Sequence, residues 1–288
     1  QQISEILQPI SSGQAGESEL RLAAEAVGRL TSDQSRLYQR NVERVVEVSE
    51  GRDRVRRAHQ AVSSEIKRRY LGRQVPEVVP ELMDAGWRAV LELAAINAAD
   101  GDDKFITHLG LLDSVVSGLG GEAFEREPSE PDAKRLFARV EQELATVAFD
   151  PFRRNAVESR LRAELTGPAR TSVSLVEMPL PDEDSEERAS AVPPDGISAN
   201  AWERSLERCT AVNVGDRIRL LDTKEGDQGL RVAWIRGDRE VFVLVDHRGL
   251  RVRDIRLAEL ALGLHQRRIE IERADGQPLS DRAVDSIL

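Results

Sequence analysis

The stretch from Val214 to Ile271 reads VGDRIRLLDTKEGDQGLRVAWIRGDREVFVLVDHRGLRVRDIRLAELALGLHQRRIEI. Ile218 and Leu220, then Leu230, Val232 and Trp234, then Val241, Val243 and Val245 alternate with polar or opposite-facing residues. A period of two is the mark of strands packed on one face. Glu225-Gly-Asp-Gln-Gly and Gly237-Asp supply turn residues between the runs. The reading is a small β meander or barrel that ends in an amphipathic helix.

Upstream the period changes. From about Ser18 to Tyr70, Leu30, Leu37, Val45, Val48, Val55, Ala58, Val62 and Ile66 recur at spacings of three, four or seven residues, which describes one apolar stripe on a helix. Thr31-Ser-Asp-Gln has the form of a helix start, so a long helix over 32–69 is expected, with Gly51 a candidate interruption. Gly72 and Pro76 stop it, and a second helix carries Met83, Trp87, Val90, Leu91 and Ala94 on one face. Three more follow: 103–119 with Phe105, Leu109, Leu112 and Val116; one from 129 or 131 with Leu136, Val140 and Leu144; and one after Asp150-Pro151 with Val157, Leu161 and Leu165. Together they read as an antiparallel bundle.

Residues 167–200 hold Pro168, Pro179, Pro181, Pro193 and Pro194 around the acidic run DEDSEE at 182–187. Such composition cannot bury enough apolar surface to offset its ordering entropy. The expected architecture is therefore multidomain α+β: a flexible N-terminus (1–17), an α-helical bundle (18–166), an acidic Pro-rich linker (167–200), and a small β-barrel with a terminal helix (201–288). A modest helix near 201–209, with Trp202 and Leu206 on one side, leads into the barrel.

The chain has 288 residues, a net charge of −10, 32% charged and 4% aromatic residues. That length allows two domains, and that charge argues against binding nucleic acid through a general electrostatic surface. Cys209 is the one cysteine, so no internal disulfide forms and the cytoplasm is the expected compartment. No run approaches the roughly 20 apolar residues of a membrane span. Gln1-Gln2 at the start, and a Pro278–Leu288 helix that stops after barely two turns, are read as the marks of a fragment.

Val214-Gly-Asp-Arg, Val232-Ala-Trp-Ile, Phe242-Val-Leu-Val-Asp-His-Arg-Gly-Leu and Ile255-Arg-Leu-Ala-Glu-Leu-Ala resemble the C-terminal, PilZ-like part of a large proteobacterial family of unknown function. Pro278-Leu-Ser-Asp-Arg-Ala-Val-Asp resembles that family's tail, and Arg69-Tyr-Leu-Gly-Arg-Gln-Val-Pro-Glu, Trp87-Arg-Ala-Val-Leu and Leu111-Leu-Asp-Ser-Val-Val its helical portion. In some members the last helix runs into GGDEF and EAL domains, which make and degrade cyclic di-GMP. The resemblance implies a non-catalytic regulatory region that self-associates as a homodimer or binds a protein partner, and couples to such an output.

PilZ domains that bind cyclic di-GMP offer an RxxxR arm and a D/N-x-S-x-x-G turn. Guanidinium groups fork onto phosphates and stack on guanine faces. Arg204 and Arg208 have the arginine spacing and are the candidate cyclic di-GMP contacts, with a solvated helix face as the competing account. They lie on an expected helix upstream of the first strand, and Ile235-Arg-Gly-Asp-Arg-Glu lacks the second motif. The alternative function is a free-standing protein-protein adaptor without a nucleotide, binding through a groove around Trp87 and Leu112.

Asp246-His-Arg-Gly has ordinary turn chemistry, and a catalytic pair there would need a second carboxylate. His59, His108 and His265 are scattered without metal-ligand spacing. No catalytic residue, metal site or cofactor is expected, and Cys209 reads as an apolar filler. Arg52, Arg54, Arg56, Arg57, Lys67, Arg68 and Arg69 make the long helix locally positive, either as solvated charge or as a dock for an acidic partner or the DEDSEE run.

Overall fold

The computed structural model describes residues 17–98, 103–120, 130–166, 174–179, 193–221 and 226–273. The sequence readings at 1–16 and 274–288, the flexible N-terminus and the terminal helix, lie outside them. The chain forms two compact units, Arg52–Glu183 and Gln1–Gly51 together with Asp184–Leu288. α1, Glu17–Tyr70, is a continuous helix of 54 residues, about 80 Å long at 1.5 Å per residue. Its residues to Gly51 count with one unit and those from Arg52 with the other. Gly51 does not break it: intrahelical bonding tolerates an isolated glycine at a cost of about 1 kcal/mol.

In the helical unit, β1 (Gln74–Pro76) follows α1, and then come α2 (Val78–Leu82), a π-helical turn (Met83–Trp87) and α3 (Arg88–Ala98). The sequence reads these last three as one helix. Gly86 has φ +123°, a conformation that costs a side-chain-bearing residue dearly, and it turns the chain between α2 and α3. α4 (Lys104–Gly118), α5 (Glu130–Leu144) and α6 (Pro151–Thr166) complete the bundle. Its core joins Val62, Ile66 and Tyr70 of α1 to Trp87, Leu112, Leu144 and Leu161.

Part of the stretch read as linker is built into this unit. β2, Leu175–Glu177, pairs antiparallel with β1 in the register Val75↔Val176, and Met178 is buried in the helical core. A three-residue strand among prolines is too short to alternate visibly, so composition conceals it.

The other unit holds α7 (Ala199–Thr210), β3 (Arg217–Leu220), β4 (Gln228–Ile235), β5 (Val241–Val245), β6 (Arg251–Arg256), α8 (Leu257–His265) and β7 (Ile269–Glu272). The five strands form an antiparallel sheet in the order β6-β5-β4-β3-β7. No closed barrel forms among the described residues, which corrects that expectation. Closure would require β6 to meet β7, but these stand at opposite edges, and α8 crosses the sheet between them. Trp202 and Cys209 of α7 and Leu257, Leu260 and Leu264 of α8 pack on Ile218, Val232, Phe242, Leu244 and Ile255.

Ala233, Val243 and Val245 are also buried, yet they stand apart from that cluster, on the opposite face. α1 reaches this side. A β-carbon on Gly249, where φ is +76°, would stand 2.6 Å from the Tyr38 carbonyl oxygen and 3.1 Å from Val42 Cγ2. Asn41 Nδ2 donates to the Arg248 carbonyl at 2.8 Å. The turn is thus seated against a helix some two hundred positions earlier in the chain.

Replacing Gly249 by alanine adds a steric conflict to a left-handed backbone penalty of about 1 kcal/mol. Urea denaturation should show a loss of about 2 kcal/mol or more for Gly249→Ala, and about 1 kcal/mol for Asn41→Ala, which forfeits one hydrogen bond. Equal stability of Gly249→Ala and the parent would refute this seating.

Candidate functional site

α7 is strongly amphipathic. Trp202, Ser205 and Cys209 face the sheet, while Glu203, Arg204, Glu207 and Arg208 are exposed. Arg204 and Arg208 are four residues apart, so they share a helix face. Arg204 Nε donates to the Asn200 carbonyl of its own helix at 3.1 Å. The structure therefore brings the two candidate arginines together on an open surface.

At the end of α7 a different arginine is engaged. Arg239, in the β4–β5 turn, has φ +62°, and its Nη2 donates to the Val212 carbonyl just beyond α7. A cation there complements the carbonyl-rich end of the helix. Sequence reading missed this residue because Gly237-Asp238 is the obvious turn pair and nothing marks Arg239 for a left-handed backbone.

Asp246 is occupied by its own turn, Oδ1 accepting from the backbone N–H groups of Arg248 at 2.8 Å and Leu250 at 2.9 Å. His247 is exposed beside it. No group of three or more metal-binding side chains occurs among the described residues. His59 Nδ1 lies 2.8 Å from Glu92 Oε1, and the buried His108 places Nε2 3.1 Å from Glu143 Oε2 with its ring edge-on to Trp87. These pairs cross between helices, so local spacing cannot reveal them.

Trp87 and Leu112 are both fully buried and belong to the core, so they cannot line a docking groove. An open groove of about 320 Å³ lies on another side of α4. Thr107, Gly110, Leu111 and Ser114 of α4 line it against Asp132, Arg135, Leu136 and Arg139 of α5. Leu111 beside Leu112 is itself buried, and the surface begins at Gly110.

The positive stretch of α1 is largely consumed locally. Arg56 and Arg57 both bond Asp53; Arg68 and Arg69 bond Glu65, and Arg69 also pairs with Asp113 on α4. Tyr70 donates its hydroxyl to the same Asp113 at 2.6 Å. Burial first, and then the Asp113 carboxylate, push the Tyr70 phenol far above its ordinary value. Burial likewise raises the Tyr38 phenol, with Asp246 adding to the rise and Arg231 opposing it. Burial pushes the Cys209 thiol up to about 12, against a small opposing effect of Arg208.

Against known families, residues 48–162 match a model described as the third domain of a protein of unknown function, DUF1631. That segment is less than half of the chain. No curated protein and no solved structure matches the chain.

Two titrations follow from these environments. A phenol whose folded pKa is raised contributes stability that is complete below its unfolded value, 10.0, and is lost as pH rises beyond it. Stability should fall above pH 10, and Tyr70→Phe should flatten that fall; an unchanged slope would count against the Tyr70–Asp113 contact. Cys209 should resist alkylation at pH 8 in the native protein and react only after unfolding. Rapid native labelling would contradict its burial.

Proposed function

We propose that the chain is a non-catalytic regulatory region of a bacterial cyclic di-GMP signalling protein, working in the cytoplasm and coupling to a downstream GGDEF/EAL output. The helical unit would self-associate or bind a partner, and the sheet unit would present α7 to the nucleotide. The observation that carries this reading is α1, one continuous helix of 54 residues whose Val62, Ile66 and Tyr70 join the core of the helical unit and whose Asn41 bonds the Arg248 carbonyl of the sheet unit. A continuous helix would carry a shift along its own length as a body.

Arg204 and Arg208 would take the nucleotide. Two guanidinium groups one helical turn apart can fork onto phosphate oxygens and stack on a purine face. The PilZ-like resemblance of the sheet unit supports this role for them.

A second reading is a protein-protein adaptor with no nucleotide ligand. It is favoured by one observation: Arg204 Nε is spent on the Asn200 carbonyl, on an exposed helix face. A nucleotide there would lie on an open helix.

Calorimetric titration with cyclic di-GMP, accompanied by light scattering, separates the two. The regulatory reading expects saturable heat in the parent protein that disappears in Arg204→Ala/Arg208→Ala, with a change in mass or compactness on binding. No heat in the parent would leave the adaptor.

A further inference from the structure

α4 and α5 part along their outer edge, and the groove they leave differs in chemistry from the rest of the surface. Its α4 wall is uncharged: Thr107, Gly110 and Ser114 are exposed, and Ile106 next to them is 69% exposed. The two hydroxyl groups turn inward to their own helix, Thr107 to the Asp103 carbonyl at 3.2 Å and Ser114 to the Gly110 carbonyl at 2.8 Å. Their hydrogens are spent, so this wall presents methyl and methylene groups.

The α5 wall supplies the charge. Arg135 and Arg139 stand one turn apart, both exposed, with Leu136 between them at the base of the groove. Arg135 reaches Asp132 only at 3.8 Å, with both side chains more than half exposed, a contact worth little. Arg139 makes no ion pair among the described residues. Arg160, by contrast, is bonded to Glu77, Glu81 and Glu164.

Gly110 adds an independent sign. It sits in the middle of a helix, where glycine costs about 1 kcal/mol relative to alanine, and a β-carbon there would meet nothing within 4 Å. No close approach among the described residues requires it. The open space above it admits another backbone.

We propose that the α4–α5 groove docks an acidic amphipathic helix of a partner protein. Carboxylates one turn apart on that helix would meet Arg135 and Arg139, and its small apolar face would lie over Gly110 and against Ile106. Leu111 and Leu136 supply apolar lining, and the two arginines outnumber the one carboxylate, Asp132, among the lining residues, which fits that chemistry, as helix-in-groove recognition requires. The inference names the partner surface of the helical unit and stands whether or not a nucleotide binds α7.

The test uses the full chain and a fluorescein-labelled helical peptide that carries glutamates four residues apart beside a leucine–alanine face. A counterpart with lysines in place of the glutamates serves as the control. Fluorescence anisotropy should show saturable one-to-one binding of the acidic peptide only. Arg135→Glu/Arg139→Glu should weaken it about tenfold or more, and Gly110→Phe should block it. Arg40→Glu/Arg44→Glu, an equal change in charge on the exposed face of α1, should leave it unchanged. Gly110→Ala should raise the thermal midpoint, which establishes that position 110 accepts a side chain without damage to the fold. The proposal is overturned by absent saturation in the parent, by equal loss in the α1 control, or by full binding in Gly110→Phe. It is also overturned if Gly110→Phe converts a dimer to a monomer, since the groove would then belong to a second copy.

Discussion

A carbonyl oxygen 2.6 Å from the place where Gly249 would carry a β-carbon is the constraint on which the sheet unit depends. It fixes the residue type at 249 and the left-handed turn around it, and it brings α1 against that turn. Ala233, Val243 and Val245 are buried on the side opposite Phe242 and Leu244. A sheet covered on both faces reads as a near-continuous apolar run rather than an alternation. Val241-Phe-Val-Leu-Val is such a run.

Much of the fold was legible in the sequence. The strands at Ile218 and Leu230 followed from alternation, and the bundle helices from stripes such as Leu136, Val140 and Leu144. Their ends followed from Gly, Pro and Asp signals; α6 begins at Pro151 with Asp150 Oδ1 accepting from the Phe152 N–H, as the Asp-Pro pair implies. What was hidden is non-local. Asn41 gives no sign of its bond to Arg248, β2 is too short to show a period, and an open sheet carries the same alternation as a barrel. The candidate site divides in the same way: Arg204 and Arg208 were visible as a spacing, and Arg239 was not. The α4–α5 groove escaped because the reading placed the surface at Leu112, one residue from Leu111, which lines it.

The charges have a common arrangement. The chain is acidic overall, yet its cations act as joints between elements: Arg69 joins α1 to α4, Arg160 joins α6 to α2 and the residue that follows β1, and Arg219 ties β3 to β7 through Glu270. Most of these pairs are partly exposed, and pairs of that kind contribute little each. Their value lies in geometry, since a forked guanidinium holds direction as well as distance.

The bond from Asn41 to Arg248 spans 207 positions. At a synthesis rate of about 5–20 residues per second, the N-terminal part of α1 leaves the ribosome roughly 10–40 s before its counterpart on the sheet exists. During that interval Asn41 and Val42 have no turn to pack against. The distance between partners thus makes the first helix of this chain a late participant in folding, and a segment for which a chaperone would have time to compete.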